Sequence, residues 1–285
     1  MDVCIIGLGG LGSAIVKALA GIPRGKVSRI CLIDMETVEA CNLPTQLYRE
    51  ADVGKHKTEA AQDLLAREGY TGRVERHSIN IDRPEQIPES ILACNVYISA
   101  LDSYESRVNF YYYVVMESRC TGALYIDSGT ERFLGHVFFV RGKSPCIFCI
   151  RWLFPAQKKA VPLCSIRESP PESASGEKVS SAVMSILYRE HAKGEEGARA
   201  RAACEYNRMY APAVHLTEND VSRIEEESAQ PNTPAISFIM ASTVALVLQK
   251  VPSGNFILYS GDVRPHFQKH FLERDPKCFL CSEQK

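Results

Sequence analysis

The chain has 285 residues, a net charge of −1 and an apolar fraction of 45%. That is enough for one large domain, or one large and one small, with a sizeable core. The near-neutral balance argues against nucleic acid or an anionic membrane as partner, and no apolar run approaches the roughly 18 residues of a membrane span.

The first predicted element is a strand at 3–6, directly after Met1, which is not the start of a signal peptide. Further short β-type runs lie at 30–33, 96–100 and 124–126. Helical periodicity fills 11–20, 57–67 and 103–116 between them. Strand–helix–strand alternation predicts an α/β fold, a doubly wound, Rossmann-like, mostly parallel sheet. Residues 136–140 read as a further strand, a candidate for antiparallel pairing. From about 155 the character changes. Pro170, Pro171, several serines and Gly176 mark a connection over 167–178. Residues 179–210 read as helix, 217–233 as a polar stretch, 235–251 as an apolar helix and 257–259 as a late strand. The predicted organisation is an α/β domain at 1–155, a helical insertion at 156–232, and a return to the first domain at 233–285.

Eleven cysteines is an odd count without an export signal, so reduced thiols and a cytoplasmic and/or nuclear protein are expected. Two CxxC pairs, Cys146–Cys149 and Cys278–Cys281, supply the four thiolates of a structural zinc site; coincidence or a redox-active pair is the alternative. Cys164 stands apart in a polar, proline-flanked segment, as a nucleophile would. Arg167, Lys158 and Lys159 are placed to lower its pKa. Cys204 is its competitor. Cys4, Cys31, Cys41, Cys94 and Cys120 are expected to be packing residues.

Gly7-Leu8-Gly9-Gly10-Leu11-Gly12 follows the first strand and opens a helix. Bare glycines let phosphate oxygens approach the backbone, and the helix N-terminus offers free N–H groups. Asp34 ends the second strand at the distance expected of a ribose hydroxyl acceptor. This much fits a nicotinamide or flavin about as well as ATP. Asn42 and Gln46 follow, Lys57 opens the next helix and Asp102 ends a later strand. A lysine neutralises polyphosphate and a strand-end carboxylate holds Mg²⁺; hydride transfer needs neither.

With Asn42-Leu43-Pro44-Thr45-Gln46, Leu101-Asp102, Gly129-Thr130-Glu131 and Pro162-Leu163-Cys164-Ser165-Ile166 added, the chain resembles the activating enzymes of ubiquitin-like modifiers. It is most similar to the catalytic subunit for the Nedd/Rub modifier, with the SUMO-activating subunit close behind. The resemblance implies a ThiF/MoeB-type adenylation domain that joins a modifier's C-terminus to AMP, then to Cys164 as a thioester for a conjugating enzyme. ATP and Mg²⁺ would lie on Gly7, Gly9, Gly10, Gly12, Asp34, Asn42, Gln46, Lys57 and Asp102. Zinc would lie on Cys146, Cys149, Cys278 and Cys281. An inactive adenylation-domain subunit would complete a heterodimer. The chain departs from the family at Thr45, where an arginine is usual, and at Arg132, where a glycine is usual. Its catalytic-cysteine region is short, and no C-terminal ubiquitin-fold domain is expected. The competing readings are a sulfur-carrier adenylating enzyme and a non-catalytic scaffold subunit.

Overall fold

A computed structural model describes residues 1–83, 86–131, 133–151, 154, 183, 186–187, 190, 197–210, 216–227, 234–250, 253–261, 265–278 and 280–281. The chain divides into two compact units, Met1–Gln157 with Asn232–Lys285, and Lys158–Pro231.

The larger unit is built on an eight-stranded sheet in the order β3-β2-β1-β4-β5-β6-β7-β8. Strands β1 (Asp2–Ile6), β2 (Arg29–Ile33), β3 (Arg73–His77), β4 (Val96–Ser99) and β5 (Leu124–Glu131) run parallel. Strands β6 (Leu134–Arg141), β7 (Phe256–Ser260) and β8 (His266–His270) complete it with antiparallel pairings. The mostly parallel, doubly wound expectation therefore holds, with an antiparallel extension longer than the one strand foreseen.

Central strands covered on both faces must be apolar where they are buried, and β1 is so over its four buried residues, Val3 to Ile6. Its alternate residues enter opposite layers. Val3 and Ile5 join one core with α1 (Gly10–Ala20) and α2 (Lys57–Arg67), while Cys4 and Ile6 join another with Tyr97 and Tyr125. The second layer is roofed by α3 (Glu89–Leu92) and α4 (Tyr104–Phe110), which runs on into a π turn at Tyr111–Val115. Both edge strands escaped the sequence reading. β3 is Arg-Val-Glu-Arg-His and β8 is His-Phe-Gln-Lys-His, with every β8 residue exposed. Edge strands bury little and carry charge that discourages pairing with other chains, so they lack an apolar signature.

In the smaller unit, α5 (Ala198–Tyr210) and α6 (Glu218–Glu227) contribute to a cluster that includes Val183, Ile186, Ala202, Tyr206 and Val221. The polar stretch expected from 217 thus contains a helix. After it, α7 (Pro234–Gln249) returns to the larger unit and packs on α1. Among the described residues no helix is long and apolar enough to cross a membrane.

Candidate nucleotide and metal sites

Neighbours β1 and β4 carry their helical connections toward opposite flanks of the sheet, so a crevice opens beyond their carboxyl ends. Gly7 follows β1 there, Asp34 follows β2, and Leu101-Asp102 follows β4. The fold thus gathers onto one sheet edge residues that are far apart in sequence.

The glycine turn is tight for identifiable reasons. Gly7 has φ +81°, and a Cβ on it would lie 2.7 Å from the Ala100 carbonyl oxygen of the next strand's turn. A Cβ on Gly12 would lie 1.9 Å from the Gly7 carbonyl oxygen. Gly10 faces the Thr45 carbonyl, whereas a Cβ on Gly9 would meet nothing. Gly9 is also the N-cap of α1, with no side-chain cap and no acidic residue in the first turn. The first N–H groups of α1 therefore lie beside an open position, where a phosphate would satisfy them.

Asp34 is fixed by two backbone donors. The Leu8 N–H reaches Oδ2 at 2.6 Å and the Glu36 N–H reaches Oδ1 at 2.8 Å. Burial raises its pKa above the ordinary carboxylate value; the Lys57 ammonium and these N–H groups oppose that without cancelling it. Lys57 is not a solvated helix residue. Its side chain is 3% exposed and its ammonium pairs with the half-exposed Glu36 at 2.5 Å. Asn42 is buried and its Oδ1 accepts from the Glu39 N–H, bracing the short turn Ala40–Asn42. Gln46 is buried too, but its Oε1 has no hydrogen-bond partner among the described residues. An unpaired buried acceptor is costly, and a donor arriving with a ligand relieves it. Asp102 is exposed in the turn before α4. The N-cap of α4 is Ser103, whose hydroxyl accepts from the Ser106 N–H, so Asp102 is not committed to capping. Adenosine hydroxyls on Asp34, phosphates on the start of α1 and a hydrated Mg²⁺ at Asp102 fit these donors and acceptors.

Sequence reasoning missed a buried network behind this edge. Arg107 of α4 pairs with Asp127 of β5, and His136 of β6 reaches the same carboxylate oxygen at 3.0 Å. The Arg107 guanidinium also donates to the Leu101 carbonyl, beside Asp102. Burial alone would raise Asp127, but Arg107 and His136 hold it below the ordinary carboxylate value. The available signal was an acidic residue inside the apolar run from Leu124. A Cβ on Gly129 would lie 2.5 Å from the His136 ring, so that glycine makes room for the imidazole.

The CxxC pairs do converge. Cys146, Cys149, Cys278 and Cys281 are buried, with sulfur separations of 3.6 Å (Cys146–Cys149), 3.4 Å (Cys146–Cys278) and 3.5 Å (Cys149–Cys281). A tetrahedral zinc with bonds of about 2.3 Å sets sulfurs about 3.8 Å apart, so the cluster fits that ion with little adjustment. The Cys281 N–H, the Cys146 thiol and the Leu280 N–H hold Cys278 below its ordinary value against burial, while burial pushes Cys149 up to about 11. A dication is what lets four such thiols shed their protons together.

Cys164, Arg167, Lys158, Lys159 and Arg132 lie outside the described residues. Cys204 is exposed on α5. One packing expectation fails: Cys41 is exposed, because it falls in the surface turn Ala40–Asn42.

Residues 1–279 match the model of the ThiF family. The chain belongs to that family. This ThiF chain is 29% identical over 308 residues to the "NEDD8-activating enzyme E1 catalytic subunit" of Arabidopsis thaliana, covering 98% of itself and 65% of that protein. The Drosophila melanogaster protein of that name is 33% identical over 59% of the chain and 39% of its own length. The "SUMO-activating enzyme subunit uba-2" of Caenorhabditis elegans is 29% identical over 60% of the chain and 28% of its own length. The resemblance read from the motifs is borne out. The chain spans less than two thirds of the length of these relatives. Among solved structures, E. coli MccB superposes with a TM-score of 0.58 at 19% identity, over 99% of this chain and 65% of that one. That likeness concerns the fold.

Proposed function

We propose that this ThiF-family chain activates a ubiquitin-like modifier, of Nedd/Rub type, as the catalytic half of a heterodimer. The observation that carries the reading is the meeting of Gly7–Gly12, Asp34 and Asp102 on one sheet edge, with Lys57 beside Asp34.

In the first step a carboxylate oxygen of the modifier's C-terminal glycine attacks the α-phosphorus of ATP. The bond to the β-phosphate bridging oxygen breaks, and pyrophosphate leaves. The protein's contribution is position and charge. Asp34 accepts from the ribose hydroxyls, and the backbone at Gly9 and Gly10 faces the phosphates. Lys57 exchanges Glu36 for phosphate oxygens, while Asn42 and Gln46 supply polar contacts. Asp102 would hold Mg²⁺, which when bound would supply positive charge to the phosphates. In the second step the Cys164 thiolate attacks the acyl-adenylate carbonyl, AMP leaves, and a thioester remains for transfer to a conjugating enzyme. The four-cysteine zinc site is structural, since four thiolates leave no open position.

The test is incubation with ATP and purified modifiers, with an inactive adenylation subunit present. ATP–pyrophosphate exchange and intact mass are followed. Exchange plus a thiol-sensitive adduct, with only the adduct lost in Cys164→Ala, supports the reading. Exchange with no adduct favours a sulfur-carrier enzyme, and no exchange with any modifier favours a scaffold subunit; either result overturns it.

A further inference from the structure

Away from the four-cysteine cluster, a second group of metal-type ligands lies beneath β2 and β3. Parallel pairing sets Cys31 beside Glu75 and Ile33 beside His77, so Cys31, Glu75 and His77 emerge on one face. Cys94, just beyond the end of α3, brings a second thiol to the same place, its sulfur 3.7 Å from that of Cys31. Glu75 Oε2 lies 3.6 Å from the Cys31 sulfur and 3.8 Å from His77 Nε2. The Cys31, Glu75 and His77 ligand atoms all fall within 4.8 Å of one another. Both thiols are fully buried, and the Glu75 and His77 side chains are 13% and 18% exposed.

We propose that Cys31, Cys94, Glu75 and His77 form a second zinc site. Three observations point there. First, tetrahedral zinc with sulfur, nitrogen and oxygen ligands sets neighbouring donors about 3.3–3.8 Å apart; the pairs Cys31–Cys94, Cys31–Glu75 and Glu75–His77 lie at 3.7, 3.6 and 3.8 Å, and Cys94 would close onto the other three through Cys31. Second, His77 Nε2 is buried and has no hydrogen-bond partner within normal distance among the described residues, facing the Glu75 carboxylate at 3.8 Å, a cost that a metal bond removes. Third, the surroundings balance the charge. Two thiolates and a carboxylate around Zn²⁺ leave one net negative charge. Arg29 lies against it, reaching the Cys94 sulfur at 3.6 Å and both Glu75 oxygens at 3.3 and 3.4 Å. Arg73 holds Glu75 Oε1 at 2.9 Å. Such outer contacts orient a ligating carboxylate toward its metal. Two soft thiolates with an imidazole select zinc over magnesium or calcium.

The site has a structural purpose. Strand β3 is a charged edge strand that brings little apolar surface to the sheet. A metal bonded to β2, β3 and the turn after α3 would pin it. The same strand end also meets the nucleotide edge, because the Asp34 N–H donates to the His77 carbonyl.

The test is the zinc content of the purified full chain after equilibration with a zinc buffer. Two equivalents are expected, falling to one both in His77→Ala/Cys94→Ser and in Cys278→Ser/Cys281→Ser. Chelator-driven release from the unsubstituted protein should resolve two phases, a readout independent of whether a variant folds. Cobalt at the proposed site should show about half the thiolate charge-transfer intensity of the four-cysteine site, having two thiolates rather than four. One equivalent in the unsubstituted protein would overturn the proposal. So would two retained in His77→Ala/Cys94→Ser, or a Cys31–Cys94 disulfide seen by intact mass.

Discussion

The Arg107 guanidinium donates to the Asp127 carboxylate at 2.5 Å, with the two side chains 6% and 0% exposed. A pair this deep is costly to break, because the survivor stays buried and unpaired. Arg107→Ala should destabilise the chain by about 3–5 kcal/mol, read by urea unfolding. The pH dependence follows from Asp127, whose folded pKa lies below its unfolded value. Its stabilisation is present above the unfolded value of about 4 and is lost as pH falls through the folded value. In Arg107→Ala burial dominates and the carboxyl pKa rises, so the difference between the proteins should be larger at pH 7 than near pH 4. A pH-independent difference would contradict this account.

The glycine turn separates packing from ligand access. Gly12→Ala places a Cβ against the Gly7 carbonyl and should cost about 3 kcal/mol, with nucleotide binding lost. Gly9→Ala has open space and an ordinary φ of −72°, so it should cost about 1 kcal/mol or less. Its effect should fall on ATP affinity, because the methyl group occupies the phosphate approach. Thermal unfolding with and without nucleotide distinguishes the two.

Asp34 and Lys57 share one electrostatic environment, since the ammonium does most to oppose the effect of burial on the carboxylate. Asp34→Asn removes a charged acceptor worth about 1.5–3 kcal/mol, so ATP affinity should fall on the order of 10–100-fold. Lys57→Ala should weaken ATP in the same direction and raise the Asp34 pKa further. Calorimetric titration with ATP checks the first effect, and the pH dependence of binding checks the second.

On the proposal that Cys146, Cys149, Cys278 and Cys281 hold zinc, chelation should release the C-terminal segment from the turn after β6. A loss of about 3 kcal/mol would lower Tm by roughly 6–12 °C in a domain of this size. Cys278→Ser should reproduce the shift without chelator, whereas Cys204→Ser, at an exposed position on α5, should leave Tm unchanged.

The sequence displayed the central sheet plainly. A strand buried on both faces has no freedom but to be apolar, so β1, β2 and β4 could be placed from pattern alone. The glycine turn was equally legible, since Gly7 and Gly12 sit where a side chain would strike backbone. The edge strands were not legible, because a strand with one free side need not be apolar. Nor was the environment of Lys57, whose burial depends on Glu36 and on the packing of α2.

Local chemistry, written in residue type and short spacing, determined the glycine turn, the strand-end acid and the two CxxC pairs. Tertiary structure alone decided that Cys146 meets Cys278, that Arg107 of α4 reaches Asp127 of β5, and that Cys31, Glu75 and His77 cluster with Cys94 against the Cys31 sulfur. Such meetings depend on strand register and helix packing, which no short stretch of chain encodes.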